Sequence, residues 1–149
     1  MKKFVFSLQK VLSYKEQILN VKKNELAILQ MQLMNLNKEI NELNNKFTYC
    51  NKKMIGELEN GLNASDIIMY KTYFNTLNQQ IRKLTDDRIK LQNILEQKKH
   101  KVIEINSEIS GLEKLRDKQL EEYNKTVQKI NEKAMDEYVG KMHSTAIWL

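Results

Sequence analysis

Glu57-Leu58-Glu59-Asn60-Gly61-Leu62-Asn63-Ala64-Ser65-Asp66 interrupts an otherwise regular apolar rhythm, and the fold follows from what lies on either side of it. Asn60-Gly61 supplies residues that tolerate positive φ, a conformation that ends helices. Asn63 or Ser65 can cap a following helix, with Asp66 near its positive end. Upstream, apolar residues recur at alternating spacings of three and four. With Leu12 as position a of a heptad, the a series is Val5, Leu12, Leu19, Leu26, Leu33, Ile40, Phe47 and Met54. The d series is Leu8, Lys15, Lys22, Leu29, Leu36, Leu43 and Cys50. Downstream the rhythm resumes, with Ile67, Phe74, Ile81, Arg88, Leu95, Val102, Ile109 and Arg116 at a, and Tyr70, Leu77, Leu84, Leu91, Lys98, Ile105 and Leu112 at d. A repeat of 3.5 held this long specifies helices that supercoil against another helix.

Composition agrees. The 149 residues contain no Pro and four Gly, and 30% of them are charged. Compact domains need turns, and turns need Gly and Pro. Mean hydropathy is −0.62, so the apolar residues form a seam rather than a sizeable globular core. The net charge of +6 fits acidic proteins, anionic lipid or weak nucleic-acid contact without selecting among them. The one cysteine cannot close an internal disulfide, which suits a reducing compartment. No apolar run approaches the roughly 20 residues that cross a bilayer, and Met1 to Phe6 opens like a signal peptide but is broken by Ser7, Gln9 and Lys10. From these features the chain is expected to stay in the cytoplasm without direct membrane insertion.

Two matched seams joined by a short turn predict an all-α, long antiparallel two-helix coiled-coil hairpin. We expect one domain over residues 1–149: helix one at about 7–56, a turn at about 57–65, helix two at about 66–139, and a frayed tail at 140–149. Pairing Met54 with Tyr70 matches every later layer, among them Cys50 with Phe74, Leu29 with Leu95 and Leu12 with Leu112. Met1 then falls opposite Tyr123, and the second helix overhangs the first. After Leu115 the phase slips, and Leu120, Tyr123, Val127, Ile130, Ala134 and Tyr138 continue as a stripe expected to lack an intramolecular partner.

No residue pattern is catalytic. A Gly-rich phosphate loop, a nucleophile elbow and a Cys-x-x-Cys are all missing from the sequence, and neither His100 nor His143 has ligand spacing for a metal. No cofactor is expected. Cys50, at d, reads as a packing residue. Lys15, Lys22 and Lys98 occupy d positions opposite Ile109, Val102 and Leu26, with their stems packed and their ammonium groups in water. They either control register or, with Lys99, Lys101, Lys10 and Lys23, form a basic belt. The e flank is polar, whereas the g flank carries Val11, Ile18, Tyr73, Ile94 and Leu115. That extra apolar surface is either a docking face or a widened core stripe.

Four stretches together resemble the flagellar FliJ family: Phe6-Ser7-Leu8-Gln9-Lys10-Val11-Leu12, Asn60-Gly61-Leu62, Tyr70 through Leu77, and Lys114-Leu115-Arg116-Asp117-Lys118 leading to Glu122-Tyr123 and Met135-Asp136-Glu137. The resemblance implies a non-enzymatic, cytoplasmic component of the flagellar type III export apparatus, peripheral at the cytoplasmic face of the basal body. It implies a stalk that enters and stimulates the hexameric export ATPase ring and contacts export chaperones and the cytoplasmic domain of the export-gate membrane protein. The family's mid-hairpin patch, carried over through the turn, falls on Glu39, Leu43, Lys46, Cys50, Tyr73, Leu77, Gln80 and Leu84. Where some relatives have aromatics on the first helix, this chain has Lys46 and Cys50. The ring contact is expected at Lys15, Lys22, Lys98, Lys99, Lys101, Tyr123, Val127 and Ile130. The alternative is a cytoplasmic scaffold coiled coil whose basic surface binds nucleic acid or anionic membrane. Carboxylates scattered through both helices argue against nucleic acid as a partner.

Overall fold

Helix α1 runs from Gln9 to Glu59 and helix α2 from Ala64 to Trp148 in the computed structural model, which describes the backbone of residues 2–148 and the side chains of residues 2–145. The two helices pack against each other as a hairpin, and α2 is the longer, at 85 residues against 51. Their contacts fall into two units: Asn20–Ile103, which holds the turn, and Met1–Leu19 with Glu104–Leu149, which holds the chain ends.

In the turn unit, α1 ends where Asn60 and Gly61 donate their backbone N–H groups to the carbonyls of Glu57 and Leu58, at 3.1 and 3.2 Å. Gly61 has φ +85°, a left-handed conformation that a Cβ would strain. Asn63 is the cap of α2: its Oδ1 accepts from the Asp66 N–H at 2.8 Å, and its carbonyl accepts the first helical bond, from Ile67, at 3.2 Å. The helices therefore extend closer to the turn than the heptad count places them, because caps rather than the seam set their ends. Ile40, Leu77, Leu95 and Val102 form the buried seam, all at a or d. Phe47 and Phe74 pack at 4.8 Å between ring centroids. Asn37 accepts a hydrogen bond from Arg88 at 3.4 Å and Glu25 one from Lys98 at 3.3 Å, each one residue from the partner that the Met54–Tyr70 register assigns. Ile67 departs from its a-position role and is exposed, since α1 is ending beside this first turn of α2.

In the unit of the chain ends, Leu12, Leu19, Ile105 and Ile109 are buried, together with Phe6. The heptad assigns that inward position to Val5, but Val5 is 79% exposed and Phe6 only 5%. Residues 2–6 are not helical, so the 3.5 repeat does not reach them. Here exposure alternates with period 2: Phe4 is half-buried and Phe6 buried, while Val5 between them is exposed. The Tyr123 ring packs against Phe4 at 5.6 Å between centroids, and its hydroxyl donates to the Lys2 carbonyl at 2.5 Å. Tyr123 thus has an intramolecular partner, contrary to expectation. The phase does not slip after Leu115 either: Arg116, Gln119 and Tyr123 are half-buried in the original a and d positions, while Leu120 lies on the exposed side. Hydropathy hid this continuation because Arg and Gln carry it with their stems. The unpartnered stripe begins beyond Val127, where Ile130, Ala134 and Tyr138 are exposed. Helix α2 runs past Gly140 to Trp148. A lone Gly lowers helix propensity without breaking a helix. Met1 and Leu149 lie outside the described residues.

Candidate functional site

The heptad arithmetic puts d, g and c residues on one flank, and in the turn unit that flank holds two hollows. One, of about 390 Å³, is lined by Glu39, Glu42, Leu43, Lys46, Gln80, Lys83, Leu84 and Asp87. The d residues Leu43 and Leu84 supply its apolar part, and charges of both signs come from g and c. It gathers Glu39, Leu43, Lys46, Gln80 and Leu84 of the expected patch. Cys50 and Tyr73 line the second hollow, of about 670 Å³, beside the turn. Leu77 lines neither. It is 3% exposed and packs in the seam.

The turn hollow is also lined by Glu57, Asn60, Gly61, Leu62, Asp66, Met69 and Tyr70, none of which the sequence reading put in a site. Tyr70 donates its hydroxyl to Glu57 Oε2 at 2.5 Å. That hydrogen bond to a carboxylate, with partial burial and the negative charge beside it, pushes the phenol up to about 12. Its ring lies 6.4 Å from that of Phe74. The available sequence signal was charge: between Lys53 and Lys71 there is no basic residue, but there are three acidic ones, Glu57, Glu59 and Asp66.

The belt lysines are engaged. Farther along the turn unit, Lys22 and Lys98 share one carboxylate, with Glu25 Oε2 at 3.4 and 3.3 Å. The Lys98 ammonium, hydrogen-bonded to Glu25, holds that carboxyl below its usual range. Partial burial opposes the effect and the Lys22 charge adds to it. Lys99 and Lys101 are exposed. In the unit of the chain ends, Lys15 reaches Glu108 at 2.5 Å. The d-position lysine side chains keep 28–36% of their surface exposed, and acidic g residues lie within reach of each ammonium group. These contacts cancel part of the lysines' charge. Tyr123 and Val127 are half-buried in that unit and Ile130 is exposed.

Among the described residues no group of His, Cys, Asp and Glu could hold a metal ion, and no helix is long and apolar enough to cross a membrane. His100 lies 3.4 Å from Glu96, four residues earlier on the same exposed face. No curated protein and no solved structure matches the chain. The family model described as flagellar FliJ protein matches residues 4–146, nearly the whole chain, and includes all four stretches that carry the resemblance. The chain belongs to the FliJ family, a non-catalytic component of the flagellar export apparatus.

Proposed function

We propose that this chain is the stalk of the export machinery: it enters and stimulates the hexameric export ATPase, and its g flank receives the cytoplasmic domain of the export gate and export chaperones. The observation that supports the second half is the hollow that gathers Glu39, Leu43, Lys46, Gln80 and Leu84. Leu77 and the Phe47–Phe74 pair hold its helices in place, Cys50 and Tyr73 extend the flank toward the turn, and the protein works at the cytoplasmic face of the basal body. The ring contact uses Lys22, Lys98, Lys99 and Lys101 in the turn unit, and Lys15, Tyr123, Val127 and Ile130 in the other.

Two variants of the full chain test the assignment. Lys46→Ala with Gln80→Ala removes two exposed residues of the hollow, each worth within about 0.5 kcal/mol of stability. Binding to the export-gate domain or to chaperones should weaken about tenfold, or about 1.4 kcal/mol, with helicity intact. Reversing Lys22, Lys99 and Lys101 to Glu should abolish ATPase stimulation and leave chaperone binding unchanged. Exposed pairs contribute under about 1 kcal/mol singly, so a single Lys→Ala should be nearly silent. If stimulation survives the triple reversal, or both activities fall together in a folded protein, the two-surface reading is wrong.

A further inference from the structure

In the unit of the chain ends, residues 2–6 pack on the hairpin without belonging to either helix. Phe6, buried at 5% exposure, anchors this segment just ahead of α1. Before that anchor, Lys2, Lys3 and Val5 are exposed and Phe4 is half-buried. Two contacts of the stretch fall on one residue of α2. The Phe4 ring lies 5.6 Å from the ring of Tyr123, and the Lys2 carbonyl accepts the Tyr123 hydroxyl. Ordering a terminal stretch costs backbone entropy at every residue, and here a half-buried ring and a hydrogen bond offset it. Terminal segments with few buried side chains are the first to open. Residues 2–5 are thus poised to lift about Phe6 while both helices stay paired.

We propose that residues 2–5 are an autoinhibitory strap, hinged at Phe6, that latches onto Tyr123 and covers the face by which this unit meets the ATPase ring. The proposal rests on the ring reading, in which Tyr123, Val127 and Ile130 make contact, and adds the regulation of that site. Docked, the strap occupies both the ring and the hydroxyl of Tyr123, so strap and ATPase compete for the same atoms. Lifted, it leaves Tyr123 free to act with Val127 and Ile130. Spacings of four and three residues put all three on one face of α2, and Val127 is already half-exposed and Ile130 49% exposed. A site open for only a fraction of the time binds with an apparent dissociation constant raised by the inverse of that fraction. The isolated stalk therefore carries a partly closed contact, and the ATPase completes it by taking Tyr123 from the strap.

The test titrates the full chain into the export ATPase and reads hydrolysis. Phe4→Ala removes the ring contact from outside both helices and touches no residue assigned to the ATPase. It should lower the concentration for half-maximal stimulation about threefold, with an unchanged plateau. The opposite perturbation holds the strap down: Lys2→Cys with Asn124→Cys, in a Cys50→Ser background, joined by a flexible bismaleimide. Asn124 adjoins Tyr123, and both replaced side chains are exposed. The linked protein should need at least about tenfold more for the same stimulation, while its unlinked parent behaves as the wild type does. Circular dichroism checks that each variant keeps its helices. Stimulation unmoved or weakened by Phe4→Ala, or unmoved by the link, would overturn the strap and leave the ring reading standing. A wild type that stimulates nothing would end the ring reading, and the strap with it.

Discussion

Replacing Phe6 and Val5 by alanine, one at a time, separates the observed packing of the N-terminal segment from the one the heptad implies. Phe6 is 5% exposed. A phenylalanine buries at least about 150 Å², which at about 25 cal/mol per Å² gives ~4 kcal/mol. Compaction of the unfolded chain removes about 10–40% of that, leaving about 3 kcal/mol. Val5, at 79% exposed, should change stability by less than about 0.5 kcal/mol. The segment lies outside the helices, so part of the Phe6→Ala loss should appear as undocking of residues 2–6 rather than as global unfolding. Urea titration followed by circular dichroism reads the global part. Hydrogen exchange of the α2 stretch around Tyr123, whose hydroxyl holds the Lys2 carbonyl, reads the local part. A Val5→Ala loss equal to or greater than that of Phe6→Ala would mean the helix and its heptad run to the start of the segment, and would refute the alternation argument.

Asn63→Ala should lower stability by about 1 kcal/mol, because it removes the acceptor for the Asp66 N–H, whereas Asn63→Asp should be nearly neutral. Urea midpoints of the two variants decide this. Tyr70 should give the highest tyrosine titration in the absorbance spectrum, near 12, and Tyr70→Phe should remove that step. Because the folded phenol ionises later than the unfolded one, near 10, its contribution is fully present below about pH 10 and is lost as pH rises from about 10 to 12. A wild-type loss no steeper than that of Tyr70→Phe over this window would discount the Glu57 bond.

Much of the fold was legible because a heptad is a geometric statement. Leu12, Leu19, Ile40, Leu77, Leu95, Val102, Ile105 and Ile109 are buried where the a and d series put them, and the turn lies at Asn60–Gly61. What failed had physical causes. The repeat carries no information about non-helical backbone, so it points to Val5 where Phe6 is buried. Hydropathy scores Gln119 and Arg116 as surface, although their aliphatic stems pack. Of the candidate site, Glu39, Leu43, Lys46, Gln80 and Leu84 share a hollow because g and d positions adjoin on one flank. Leu77 was indistinguishable from them by heptad letter, since depth depends on the neighbouring helix. The lysines' partners, Glu25 and Glu108, required side-chain reach across the helix pair, which spacing alone does not give.

The turn that joins the helices also sets the order in which they can meet. The Tyr70–Glu57 contact spans 13 residues and the Tyr123–Lys2 contact 121. With a closure cost that grows as (3/2)RT ln n, starting at the chain ends is dearer by about 2 kcal/mol than starting at the turn, roughly a thirtyfold difference in the chance of first contact. Each layer formed brings the next within a few residues, so pairing propagates outward from Asn60–Gly61 like a closing zip, and the non-helical segment around Phe6 is the last to settle. Opening runs the other way, and the ends of such a chain loosen while its turn remains intact.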